Sequence, residues 1–156
     1  MSRYNRRQFL KKGAVTIVVT STCLCGLNGC ATITKIGNTP AINPDSYALT
    51  NNILTIDLSK EVNLSQVGEA VKIKHSDIPN GLIIAHVEEN RFEVASLLCT
   101  HRGVEVEYDH EQTNFSCASL GGSTYEINGK NISGPATKPL KDSEAALKDG
   151  ILTIKI

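Results

Sequence analysis

A chain of 156 residues has room for one domain and a short leader, and its 16 basic and 16 acidic residues cancel. Zero net charge gives a nucleic-acid partner no electrostatic support. The balance is uneven along the chain: residues 1–29 carry five positive charges and no negative ones, leaving 11 basic and 16 acidic residues and a mildly acidic surface beyond them.

The first element is a leader. Arg3, Arg6, Arg7, Lys11 and Lys12 precede an apolar run from Gly13 to Leu27, the pattern of a secretory signal. The run is shorter than the ~20 apolar residues of a membrane-spanning helix. Arg6-Arg7-Gln8-Phe9-Leu10-Lys11 resembles the twin-arginine export motif, a receptor-read address. Leu27-Asn28-Gly29-Cys30 resembles a lipoprotein cleavage box, in which the cysteine becomes the lipidated first residue. These features predict a signal peptide over 1–29, export, and attachment to the membrane through lipid on Cys30. A plain cleaved signal and a retained anchor helix are the alternatives. Residues 30–50, rich in Thr, Asn and Pro and without apolar periodicity, read as a flexible tether.

Residues 51–156 read as short strands between turns. Asn52 to Leu58 and Ala70 to Lys74 alternate apolar and polar residues. Pro79-Asn80-Gly81 reads as a turn before the apolar run Leu82 to Val87, and Glu88-Glu89-Asn90 turns the chain into Phe92 to Leu98. Asn128-Gly129 marks a hairpin between Tyr125-Glu126-Ile127 and Asn131-Ile132, and Asp149-Gly150 leads into a last strand. Ser143 to Lys148 has room for a short turn of helix only. The pattern predicts an all-β fold, a small antiparallel sandwich or barrel.

Of five cysteines, only Cys99 and Cys117 fall in this domain. One disulfide between them is the ordinary expectation for an exported protein. Cys99-Thr100-His101, however, places a thiol and an imidazole two residues apart on a loop, with Cys117 fifteen residues beyond the histidine. Two thiolates and an imidazole suit a metal centre, and zinc uses the same donors. His75 and His86 read as ordinary strand histidines.

The neighbouring residues narrow the choice. Leu98-Cys99-Thr100-His101-Arg102-Gly103-Val104-Glu105-Val106-Glu107-Tyr108-Asp109 resembles the first cluster-binding loop of Rieske proteins, and Asn114-Phe115-Ser116-Cys117 resembles the approach to the second. Ser133-Gly134-Pro135-Ala136-Thr137-Lys138-Pro139-Leu140 is similar to that family's proline-containing covering loop. The resemblance implies a Rieske-type fold with a cluster-binding loop subdomain. It further implies a [2Fe–2S] cluster, with Cys99 and Cys117 on the inner iron and His101 on the outer. Ser123 and Tyr125 match the family's hydroxyl donors to the sulfurs, which raise the reduction potential.

One ligand of the family is missing. The second histidine position falls on Leu120 counting from Cys117, or on Gly121 counting back from Gly122-Ser123-Thr124-Tyr125. Val104 and Ser119 occupy the places of a loop-bracing disulfide that many members lack. A substitute outer ligand would have to come from Ser119, His110, water or a partner's side chain. The resemblance therefore implies one-electron transfer with a redox partner protein at the exported face, as an electron carrier or the small subunit of an oxidoreductase complex rather than a self-contained enzyme. The alternatives are a cluster-free binding or assembly lipoprotein, in which Leu120 fills the vacated volume, and a single zinc-like ion on Cys99, His101 and Cys117.

Overall fold

The computed structural model describes residues 39–156, so the leader and the lipoprotein box lie outside the described residues. Eleven strands make three antiparallel sheets, and the described residues contain no α-helix. The first sheet joins β1 (Tyr47–Thr50), β2 (Ile53–Asp57), β11 (Ile151–Lys155) and β10 (Ala145–Lys148) in the order β1-β2-β11-β10. The second is the meander of β3 (Ala70–His75), β4 (Ile78–Glu88) and β5 (Arg91–Ser96), and the third runs β6 (Val106–Asp109), β7 (Asn114–Cys117), β8 (Thr124–Glu126) and β9 (Asn131–Ser133). The all-β reading holds.

The middle sheet is buried on both faces, which explains the unbroken apolar run in β4. Leu82 and Ile84 pack with Leu54, Ile56, Leu152 and Ile154 of the first sheet. The alternate residues Ile83, Ala85 and Val87 pack with Val106, Tyr108, Phe115 and Tyr125 of the third. Side chains alternate along a strand, so β4 feeds two cores at once. Cys99 and Cys117 belong to the second core, which thereby anchors the loops that carry them.

Three sequence expectations need correction. Of the expected tether, residues 30–38 lie outside the described residues, but residues 39–50 are part of the fold. Ala41 bridges Lys72, Ile42 is buried in the core, and β1 pairs with β2 along its length. Asn51 and Asn52, with φ of 52° and 63°, make the tight turn between β1 and β2. Pro79-Asn80-Gly81 is a bulge inside β4: the register slips between Ile73 and His75, and Asn80 and Gly81 take φ of 69° and 63°. The turn itself lies at Ser76-Asp77. Ser143 to Lys148 holds strand β10 in place of a helical turn, because Ala145 and Leu147 face the first core and pair with β11.

Alternation also hides a buried charge. Lys72 of β3 is 8% exposed and Glu107 of β6 is 3% exposed, and the two form an ion pair between the second and third sheets. Thr39 N donates to the other Glu107 oxygen at 3.1 Å, and Lys72 also reaches Glu105 at 3.2 Å. Lys74 pairs with Glu105 as well. The network joins the N-terminal segment, the middle sheet and the base of the loop-bearing sheet.

Candidate metal centre

Three loops converge at one end of the third sheet. The first runs from the end of β5 to β6 and is closed by a bridge between Leu98 and Glu105. The second links β7 to β8, and the third runs from β9 towards β10. Glu105 ties the first two together at the backbone, because its carbonyl accepts from Ala118 N at 3.0 Å. Its carboxylate is held by Lys72 and Lys74, and the hydrogen bond from Lys74 chiefly keeps its pKa below the ordinary glutamate value. Sequence reasoning missed this role; the β-strand pattern gives no sign of it.

The two cysteines come together as free thiols, both buried, and the disulfide expected for an exported protein is absent from this pair. The first loop turns tightly around Cys99: its N–H donates to Val104 O and its carbonyl accepts from Gly103 N, both at 2.8 Å. Burial acts to raise the Cys99 thiol. Hydrogen bonds from the Tyr125 hydroxyl, the His101 backbone, the Cys117 side chain and the Arg102 backbone outweigh it, and the thiol lies below its ordinary value. Such a pocket favours thiolate, the form that binds metal. Cys117 Sγ lies 3.1 Å from Ser119 Oγ, and its N–H donates to Ser123 O at 2.9 Å.

The structure sets Tyr125 beside Cys99 and Ser123 against the covering loop. The Tyr125 hydroxyl is 3.1 Å from Cys99 Sγ, 3.3 Å from Thr100 N and 3.2 Å from Thr100 Oγ1. Burial and its contact with Cys99 raise its pKa, so it stays a protonated donor. Thr100, which sequence reasoning did not single out, donates from Oγ1 to Lys138 O at 2.7 Å and so fastens the covering loop to the first loop. Its place beside Cys99 was the available signal. Ser123 is 1% exposed and accepts from Ala136 N at 2.8 Å, fastening the covering loop to the second. Gly134, at φ +87°, passes so close that a Cβ there would lie 2.6 Å from Ser123 Cα.

The outer end is different. His101, Arg102 and Gly103 are exposed, Leu120 is fully exposed, and a Cβ at Gly121 would meet nothing within 4 Å. Leu120 therefore does not fill a vacated volume. His110 lies against Gly68 and Tyr108 at the far end of the β6–β7 hairpin, since Asp109 pairs with Asn114 there while Val106 pairs with Cys117. Of the substitute ligands expected from sequence, His110 is thus excluded and Ser119 sits at Cys117. Among the described residues no group of three or more His, Cys, Asp or Glu side chains is placed to hold one metal ion. Cys99 and Cys117 bring two thiol donors together, while neither Leu120 nor Gly121 offers a side-chain ligand.

Comparison with known proteins bears on the same residues. The family described as Rieske [2Fe-2S] domain matches residues 54–144. The chain is 32% identical over 107 residues to a cytochrome b6-f complex iron-sulfur subunit from Chlorobaculum tepidum, a match covering 62% of this chain and 56% of that relative. Among solved structures, it is similar to the Sphingomonas yanoikuyae B1 ferredoxin (TM-score 0.50, 22% identity, 60% of this chain and 93% of that one). It is also similar to a chain from the complex of reduced oxygenase and oxidised ferredoxin in carbazole 1,9a-dioxygenase (TM-score 0.50, 21% identity, 58% and 82%). At these identities the structural likeness shows the fold alone.

Proposed function

Because this chain belongs to the Rieske [2Fe-2S] domain family, we propose that it carries single electrons between redox partner proteins at the exported face of a bacterial membrane. One observation carries the reading: two free, buried thiols lie together with hydrogen-bond donors around Cys99, among them the Tyr125 hydroxyl 3.1 Å from its sulfur. Cys99, Cys117 and His101 would hold a [2Fe–2S] cluster, which when bound supplies one reversible electron.

The chain's own residues do the rest. Tyr125 and the backbone N–H groups of His101 and Arg102 present positive hydrogen-bond ends to the sulfur and favour added negative charge there. Ser123 and Thr100 tie the covering loop to the two cysteine-bearing loops. The exposed His101 side of the loop offers the short approach for a partner. The relative's place in a cytochrome b6-f complex supports a membrane-associated partner, and the twin-arginine-like and lipoprotein-like motifs support attachment through Cys30.

The second reading is a cluster-free binding or assembly lipoprotein, favoured by the absence of a histidine at Leu120 and Gly121. Iron and acid-labile sulfide assays on the full chain and on Cys117→Ser, both purified anaerobically, separate the two. Iron and sulfide in the parent and neither in the variant are expected. A folded parent with neither establishes the second reading.

A further inference from the structure

Residues 39–156 hold 10 basic and 16 acidic side chains, and the two signs are not mixed evenly. Along the three converging loops, residues 98–104, 117–123 and 133–141 contain Arg102, Lys138 and Lys141 and no acidic residue. The remainder keeps seven basic residues against all 16 acidic ones. The two carboxylates that border these segments are engaged elsewhere: Glu105 is held by Lys72 and Lys74, and Asp142 lines a separate hollow with Glu93 and Glu144. Arg102, Lys138 and Lys141 are all exposed. The ion pairs among the described residues take up Lys60, Lys72, Lys74, Arg91 and Lys130 and leave these three out. Two other exposed lysines are left out as well, Lys148 of β10 and Lys155 of β11, but they lie on the first sheet.

The first loop and the covering loop lie against each other, since Thr100 Oγ1 donates to Lys138 O at 2.7 Å. A groove of about 390 Å³ opens there. Gly103 of the first loop lines it together with Pro139 and Lys141, and Leu82, Leu98 and Ile156 supply apolar surface. From the segregated charge and the groove, we propose that this face docks an acidic protein surface that places one apolar side chain in the groove. Cations without carboxylate partners beside a part-apolar hollow suit carboxylates at the rim and an aliphatic side chain at the centre, the layout of a protein interface. Arg102 adds a planar fork that takes a carboxylate through two hydrogen bonds. A flat lipid surface would leave the groove empty, and the acidic remainder of the domain is repelled by anionic lipid. The inference rests on the electron-transfer reading for its role, because it names the partner class of that same site; the contacts that carry it belong to the chain alone.

The test uses the full chain at low ionic strength and two synthetic glutamate-rich peptides that differ only in a central leucine or serine. Binding is followed by fluorescence anisotropy. The leucine peptide is expected to bind at least about tenfold more tightly than the serine peptide, and both to weaken as added salt shortens the Debye length. Carbodiimide, which joins amines to carboxylates, is expected to link the peptide to Lys138 and Lys141 in preference to Lys148 and Lys155, as read by mass spectrometry of the digest. The triple variant Arg102→Gln, Lys138→Gln, Lys141→Gln is expected to lose about tenfold or more in affinity, and the double variant Lys148→Gln, Lys155→Gln to bind as the parent does. Equal affinity for the two peptides, even cross-linking over the four lysines, or unchanged affinity of the triple variant overturns the proposal. So does a parent that ignores the peptides and binds phosphatidylglycerol vesicles through the same three residues, which would make the face a lipid contact. Iron and sulfide are assayed in the same preparation: their absence overturns electron transfer, while links at Lys138 and Lys141 still establish the docking face.

Discussion

Replacing Lys72 by methionine leaves Glu107 charged, 3% exposed and facing an apolar chain. Breaking a buried pair from one side costs about 3–5 kcal/mol, because the remaining charge has lost both water and partner. Here Thr39 N still donates to Glu107 at 3.1 Å, and Glu105 keeps Lys74, so the lower end of that range applies. Against a total stability of about 5–15 kcal/mol this is a large fraction. For a domain of this size it lowers Tm by roughly 10 °C or more. Converting both residues together, Lys72→Met with Glu107→Leu, removes the stranded charge and is expected to recover most of the loss. Urea unfolding of the parent, both single variants and the double variant closes a thermodynamic cycle, with an expected coupling of at least about 1 kcal/mol. A Lys72→Met cost below about 1 kcal/mol, or additive single effects, would refute the claim that this pair joins the sheets.

Three further outcomes follow from the same contacts. Tyr125→Phe deprives Cys99 Sγ and Thr100 N of a buried partner and should cost about 1–3 kcal/mol in urea unfolding; in cluster-loaded protein it should lower the midpoint potential measured by voltammetry. Gly134→Ala places a methyl group 2.6 Å from Ser123 Cα at φ +87°, so about 1–3 kcal/mol of stability should be lost together with hydrogen-exchange protection at Ala136 N. Glu105, whose folded pKa lies below the unfolded value of about 4.5, contributes stability that is present above that value and lost as pH falls through the folded pKa. The stability gap between parent and Glu105→Gln should therefore close on acidification from pH 6 to pH 3; a constant gap would show that the Lys72 and Lys74 contacts do not set it.

Period-2 patterning and turn residues made β2, β3, β5 and the β8–β9 hairpin legible, because each has a face whose burial the alternation reports. The N-terminal edge was not legible. Pro40, Asn43 and Pro44 read as linker, and the contacts that order this stretch, Ala41 with Lys72 and Thr39 with Glu107, join residues far apart in sequence. The burial of Lys72 was not legible for a related reason: alternation places it outward from the first core, but a third sheet covers that side and brings Glu107 to it. At the candidate centre, Cys99, Cys117, Ser123 and Tyr125 were legible through their resemblance to Rieske loops, and the structure brings them together. Thr100 and Glu105 were not, since their work is done through bonds to the covering loop and to the middle sheet. The full exposure of Leu120 could not be read from its neighbours either, because a leucine is equally at home in a core.

The measurement that bears most directly on electron transfer is the iron and sulfide content of anaerobically prepared full chain, taken with its electron paramagnetic resonance spectrum before and after reduction. About two irons and two sulfides per chain, silent when oxidised and giving a spin-half signal on one-electron reduction, is the expected result. Folded protein, made where clusters are assembled, that contains neither iron nor sulfide and gives no signal would contradict it.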